Sequence, residues 1–337
     1  MKNIKFDFDD ILLQPAKVSN INSRNVINAY YSGYLPLFTA PMDTVVSGKN
    51  YELFQDNGIN VVLPRGEKGN SDCFTSYSLK EMFNKFDALH HPNSLSPNGR
   101  YLIDVANGHM SDLVELTKTL RQSYPNMTLM VGNIANPETY KLLSDAGADF
   151  IRVGIGNGAG CLTTQQTAIG YPMGSLIAEC YAVSSTLDNP AKIVADGGFQ
   201  KYSDIIKALA LGADYVMVGS LLNKTIESSG DNYLFGKIKI SEELAHKLYE
   251  LNVPIYKNFR GMSTKEVQLK WNKDTIKTSE GVTRMRKVEY SLNQWTHNFV
   301  DYLRSAMSYS NARNLNQFIG YAEYNFVTEN AMRRFKK

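Results

Sequence analysis

The run GIGNGAGCLTT, residues 154–164, gathers residue types suited to covalent chemistry. Gly154, Gly156 and Gly158 stand at alternate positions and Gly160 follows, so this backbone can approach a ligand closely or turn carbonyls toward a cation. Cys161 ends the glycine run. A thiolate at the tip of such a loop can attack an electrophilic carbon, and the Thr163 hydroxyl two residues on can relay a proton. The alternative for any cysteine is a small buried hydrophobe, which is the reading for Cys73 and Cys180. Three cysteines cannot all pair, and none stands in CxxC spacing. With no secretory leader or long apolar span to be seen, they point to a reducing, cytoplasmic setting away from membranes.

A second concentration of glycine lies in VADGG and VMVGS, where Asp196 precedes Gly197 and Gly198, and Gly219 precedes Ser220. Either these glycines only make tight strand-to-helix turns, or their N–H groups cradle a phosphate with Asp196 beside it to accept from ribose hydroxyls. Asp196 as a helix N-cap is the plain alternative.

Both clusters need a scaffold that presents strand ends together. Eight apolar runs rich in β-branched residues (LPLFTA, INVVLP, CFTSYS, YLIDVA, TLMVGN, FIRVGI, KIVADG and YVMVGS) alternate with stretches of helical spacing such as 111–123, 136–147 and 201–212. Leu113, Leu116 and Leu120 line one helical face, and AGAD and LGAD supply C-cap glycines before the next strand. Eight such units predict an α/β fold, a closed (β/α)₈ barrel, whose active site lies at the C-terminal strand ends. That rule selects Met42, Asp43 and Thr44 after the first strand, Asn107 and Gly108 after the fourth, Asn133 after the fifth, 156–164 after the sixth, Asp196, Gly197 and Gly198 after the seventh, and Gly219 and Ser220 after the eighth.

The chain of 337 residues, 43% hydrophobic, is read as one catalytic domain over 1–337. Within it, 221–289 reads as a polar insertion and mobile flap, and 290–337 as a helical segment packed on the barrel, with spacing around Phe299, Tyr302, Leu303 and Met307. Net charge is +3 with the basic residues dispersed, which argues against a nucleic-acid or anionic-membrane partner and leaves small anionic substrates open.

Taken in order, FDDILLQP, APMDTV, DVANG, VGN, VGIGNGAGCLTT, IVADGG, VMVGS and FRGMS resemble the motifs of the IMP dehydrogenase/GMP reductase family from about residue 6 to about 325. About 35 residues separate Pro64 from Tyr101, too few for the CBS insertion usual in the dehydrogenases, and the short stretch ending in TSEG is similar to the reductases. The resemblance implies reductive deamination of GMP to IMP and ammonia, with NADPH (or NADH) as hydride donor. Cys161 would attack purine C2, and Thr163 with Glu280 would deliver the proton for ammonia departure. Glu280 read without the family is a solvated loop carboxylate. By the same carry-over, Asp196 would bind ribose, Gly197, Gly198, Gly219 and Ser220 the phosphate, and Met262 and Ser263 the base, with Met42 also on the substrate side. Asp104, Asn107 and Gly108 would face the cofactor, carbonyls of Gly156, Gly158 and Cys161 would hold a potassium-like cation, and the assembly would be a homotetramer.

The sequence departs from the family's pattern at several points. Asn157 and Ala159 replace a proline and a phosphate-binding serine, Pro64-Arg65 replaces His-Lys, Leu162 replaces Thr or Ile, and Lys277 replaces an arginine. Loss of the serine hydroxyl costs about 1.5–3 kcal/mol of phosphate binding unless Arg65 or Arg260 compensates. An enzyme acting in the dehydrogenase direction or on another purine nucleotide, and a catalytically silent nucleotide-binding barrel, are the competing readings.

Overall fold

The computed structural model describes residues 4–87, 95–262, 264, 267, 269, 281–321 and 323–335. All eight predicted strands are present: β1 (Leu37–Thr39), β2 (Val62–Leu63), β3 (Phe74–Tyr77), β4 (Arg100–Asp104), β5 (Thr128–Ile134), β6 (Phe150–Val153), β7 (Lys192–Asp196) and β8 (Tyr215–Val218). They form one parallel sheet in the order β1-β8-β7-β6-β5-β4-β3-β2. A parallel bridge between Phe38 and Asn60 joins β1 to the start of β2 and closes the ring, giving the TIM-barrel fold.

Local chemistry sets the surrounding helices. The Asn136 side chain accepts from the Glu138 N–H and Pro137 opens the helix Pro137–Asp145, while Leu113, Leu116 and Leu120 of Ser111–Ser123 are buried as their spacing required. Gly147 and Gly212, at φ of +96° and +117°, take the left-handed turns that end two helices ahead of β6 and β8.

Inside the barrel, Phe38, Phe74 and Phe150 meet edge to face with centroids 5.6–5.7 Å apart, and Tyr215 closes the group against Phe38. Leu102, Met130, Val194 and Met217 pack with them, so the lumen is a filled core. The alternation along the strands then turns polar at the top. Leu102 is followed two residues on by Asp104, Phe150 by Arg152, and Val194 by Asp196.

After β8 the structure differs from the expected polar loop. Strands Asn232–Leu234, Ile238–Ile240, Ile255–Arg260 and Thr283–Lys287 form a separate antiparallel sheet. The helix Glu242–Glu250 contributes Ala245 to a small core with Ile226, Ile255 and Val288. The pattern was masked because Thr283–Lys287 lies mostly exposed and because Ile255–Arg260 places a lysine, Lys257, between Ile255 and Phe259 on its buried face.

The C-terminal segment is helical over Leu292–Tyr309 and Leu315–Phe318, with Phe299, Leu303 and Met307 buried and Tyr302 exposed. It is not helical throughout, because Tyr324–Phe326 is a strand paired antiparallel with Ile11–Leu13, stitching the chain ends together. Among the described residues, no helix is long and apolar enough to cross a membrane.

Candidate active site

Cys161 stands half-buried above the end of β6, its Sγ 3.2 Å from the Thr163 Oγ1 that opens the short helix Thr163–Thr167. Three chain segments converge on it. Cys161 forms an antiparallel bridge with Gly281, Val282 N–H donates to the Gly160 carbonyl at 3.1 Å, and Gly261 N–H donates to the Val282 carbonyl at 3.1 Å. A Cβ on Gly261 would sit 2.3 Å from the Gly160 oxygen, so these backbones stack at a distance that requires glycine. Met262 follows directly and is half-buried, whereas Ser263, Lys277 and Glu280 lie outside the described residues. Glu280 precedes Gly281 in the sequence, and Gly281 is the residue bridged to Cys161.

The predicted phosphate residues gather at the adjoining corner. Gly197 and Gly198 have φ of +100° and +88°, and a Cβ on Gly197 would lie 2.9 Å from the Gly158 nitrogen, so the glycine turn after β7 nests against the cysteine loop. A Cβ on Gly219 would lie 3.0 Å from Met42 Sδ, which sets Met42 over the end of β8. Ser220 Oγ donates to the Phe199 carbonyl at 3.4 Å. The Asn157 amide donates to the Tyr171 carbonyl at 3.2 Å, so its side chain braces the loop.

The arginines expected to compensate for Ala159 are committed elsewhere. Arg65 Nη2 is 3.2 Å from Asp104 Oδ2, and Arg260 holds Asp43 through both carboxylate oxygens. That second pair belongs to a brace that sequence reasoning missed. Ser229 Oγ donates to the Asp43 carbonyl at 3.0 Å, and the buried Lys257 ammonium donates to the Ser228 carbonyl at 2.6 Å. Burial pushes the Lys257 pKa down to about 8. The brace anchors the strand leading into Gly261 and Met262 to the loop after β1.

The largest omission from the sequence reading is Arg152. Its side chain is 7% exposed, with Nη1 2.8 Å from Asp104 Oδ1 and Nη2 2.8 Å from Asp196 Oδ2. Asn133 Nδ2 donates to the same Asp196 oxygen and to the Gly154 carbonyl, both at 2.8 Å. Gly132 makes room, since a Cβ there would lie 2.6 Å from Arg152 Cβ. Burial alone would raise the Asp104 pKa, but Arg152 and then Arg65 hold it below the usual carboxylate value. Removing one member of so buried a set would strand a charge, at a cost of about 3–5 kcal/mol. The signal available in the sequence was a charged residue at an inward position of the apolar run FIRVGI.

At the end of β4, Asn107 is exposed and its Oδ1 accepts from the His109 N–H at 3.1 Å. Gly108 serves packing, being buried, with its N–H donating to the Asn133 carbonyl at 2.8 Å and a Cβ excluded at 2.6 Å from that oxygen. His109 joins the loops after β4 and β5, with Nδ1 2.8 Å from Thr139 Oγ1 and Nε2 accepting from the Ala135 N–H. Burial lowers its pKa, and the Ala135 contact requires an unprotonated Nε2.

A thiol beside a hydroxyl, a glycine cradle and an ion network at strand ends are the groups that covalent chemistry on a phosphorylated ligand would call on. The wider comparison agrees with this arrangement. Residues 100–336 match the family described as IMP dehydrogenase / GMP reductase domain. The chain is 28% identical to a GMP reductase of Caenorhabditis elegans, covering 96% of this chain and 92% of the relative. It is 30% identical to GMP reductase 2 of Bos taurus (92% and 90%) and 29% identical to GMP reductase 2 of Homo sapiens (97% and 95%). The protein therefore belongs to the IMP dehydrogenase/GMP reductase family.

Proposed function

We propose that the protein is a GMP reductase, converting GMP to IMP and ammonia at Cys161. The observation that carries this reading is the Cys161 thiol, 3.2 Å from Thr163 Oγ1 and bridged to Gly281, the neighbour of Glu280. The names and near full-length coverage of the relatives support the direction of reaction.

The Cys161 thiolate adds to purine C2, forming a C–S bond. The exocyclic amine cannot leave as an amide anion, so Thr163 and Glu280 supply the proton with which it departs as ammonia, leaving a thioimidate. NADPH supplies a hydride to C2 when bound. Breakage of the C–S bond then returns the thiolate and releases IMP. A covalent adduct divides a hard displacement into two easier steps.

Asp196 Oδ1 takes no hydrogen bond from any described residue, which suits it to a ribose hydroxyl, and the turns at Gly197, Gly198, Gly219 and Ser220 suit a phosphate. Met42, Met262 and Ser263 complete the nucleotide side. Asn107, exposed at the mouth, and the polar wall of Asp104, Arg65 and Arg152 suit a nicotinamide nucleotide; Gly108 serves that side through packing. The carbonyls of Gly156, Gly158 and Cys161 are the ligands a potassium ion would take, although that of Gly158 also accepts from Cys161 N–H at 2.9 Å. A cytoplasmic homotetramer completes the reading, and three unpaired thiols fit a reducing compartment.

The test is nucleotide-dependent absorbance. Loss of NADPH with GMP, accompanied by ammonia release, is expected. NADH formation from IMP without NADPH consumption in the presence of GMP would overturn the assignment in favour of the dehydrogenase direction.

A further inference from the structure

Arg152 connects the two sides of the site through a single rigid group. It rises from β6, next to the strand bearing Asp196 and two strands away from the one bearing Asp104. Gly132 on the intervening strand leaves room for the backbone and Cβ of Arg152, which a side chain there would meet at 2.6 Å. Nη1 holds Asp104 Oδ1 and Nη2 holds Asp196 Oδ2, each at 2.8 Å, and Arg65 holds the remaining Asp104 oxygen.

We propose that Arg152 is a positioning residue that couples occupation of the nucleotide side at Asp196 to occupation of the cofactor side at Asp104, so that each ligand tightens the other. The inference rests on the functional reading above. Asp196 Oδ2 is already engaged by Arg152 and Asn133, and Oδ1 is the oxygen open to a ligand hydroxyl. A hydroxyl donating to Oδ1 draws charge from Oδ2 and weakens its hold on the guanidinium. Because that group is planar, its two prongs cannot adjust independently, and it settles toward Asp104. The Asp104–Arg65 wall firms as it does so, and a cofactor then meets a more ordered surface. Linkage makes the effect reciprocal.

The experiment is calorimetric titration of the full chain with GMP, alone and with saturating NADP+ or, where that binds instead, NAD+. Neither oxidised cofactor can reduce GMP, so no turnover intervenes. In the wild type the cofactor should tighten GMP binding about fivefold or more, the lower end of ordinary coupling between sites. Arg152→Lys keeps the charge but replaces the fork with a point donor, and should bring the ratio to about one. Asp104→Asn reports the same link from the other end and keeps side-chain shape if the arginine variant does not fold. A folded Arg152→Lys or Asp104→Asn protein that weakens both ligands yet keeps the wild-type ratio would show a merely structural role and overturn the proposal. Wild-type protein that binds both ligands with no mutual effect overturns the coupling and leaves the functional reading standing. Protein that binds neither overturns the reading, and the coupling with it.

Discussion

Substitution of Gly261 by alanine tests whether the stacked glycines place the thiol. The new Cβ would lie 2.3 Å from the Gly160 oxygen, 3.1 Å from the Gly160 carbonyl carbon and 3.1 Å from Gly281 Cα. A carbon–oxygen contact settles near about 3.3 Å, so Gly160 and Gly261 must part by about 1 Å. Gly160 adjoins Cys161, and its carbonyl receives the Val282 N–H, so the separation also loosens the bridge that holds Gly281 beside the thiol. Displacement of about 1 Å at a reacting centre costs about a hundredfold in rate, equivalent to about 2.7 kcal/mol of barrier. The contact lies above the barrel and touches none of its lumen core, so the melting temperature should move by only a few degrees, and GMP affinity, if set by the proposed phosphate corner at Gly197 and Gly219, should fall much less than kcat. Steady-state turnover, GMP titration and a thermal melt read the three quantities. A Gly261→Ala enzyme with wild-type kcat would refute the argument.

Three further outcomes are expected. Cys161→Ala should reduce turnover to background while GMP still raises the melting temperature; retained turnover would exclude the covalent route. Phe74→Ala removes a fully buried ring between Phe38 and Phe150 and should cost about 3–5 kcal/mol in urea unfolding, whereas a loss below about 1 kcal/mol would mean that the lumen repacks. His109 has a folded pKa below its ordinary 6.5 because burial disfavours the charged ring. Its contribution is fully present above 6.5 and is lost as pH falls from there through the lower folded value, since the unfolded chain takes up the proton first. Urea midpoints across that interval should fall more steeply for the wild type than for His109→Gln, and parallel slopes would remove His109 as the cause.

The barrel was legible from local patterns because each βα unit carries its own signals. Asn136-Pro137 starts a helix, Gly147 ends it, and the next apolar run can only be a strand. The sheet after β8 was not, because its strands are short, half-exposed, and interrupted by Lys257 at an inward position; such a lysine is tolerable only where the Ser228 and Gly230 carbonyls receive its ammonium. The pairing of Tyr324–Phe326 with Ile11–Leu13 joins opposite ends of the chain, and no local spacing encodes that contact.

Within the site, residue type and order alone singled out Cys161, Thr163, Asp196 and the glycines, since glycine and a tip cysteine constrain what a loop can do wherever it sits. The sequence could also show that Ala159 lacks a hydroxyl. Only tertiary structure decided what each charge does. Arg65 and Arg260, candidates for a phosphate by type, are claimed by Asp104 and Asp43, and Gly108 serves packing against Asn133. Arg152, unremarked among apolar neighbours, became the link between Asp104 and Asp196 because barrel closure turns inward positions of separated strands toward a common axis, where an unpaired charge would be too costly to bury.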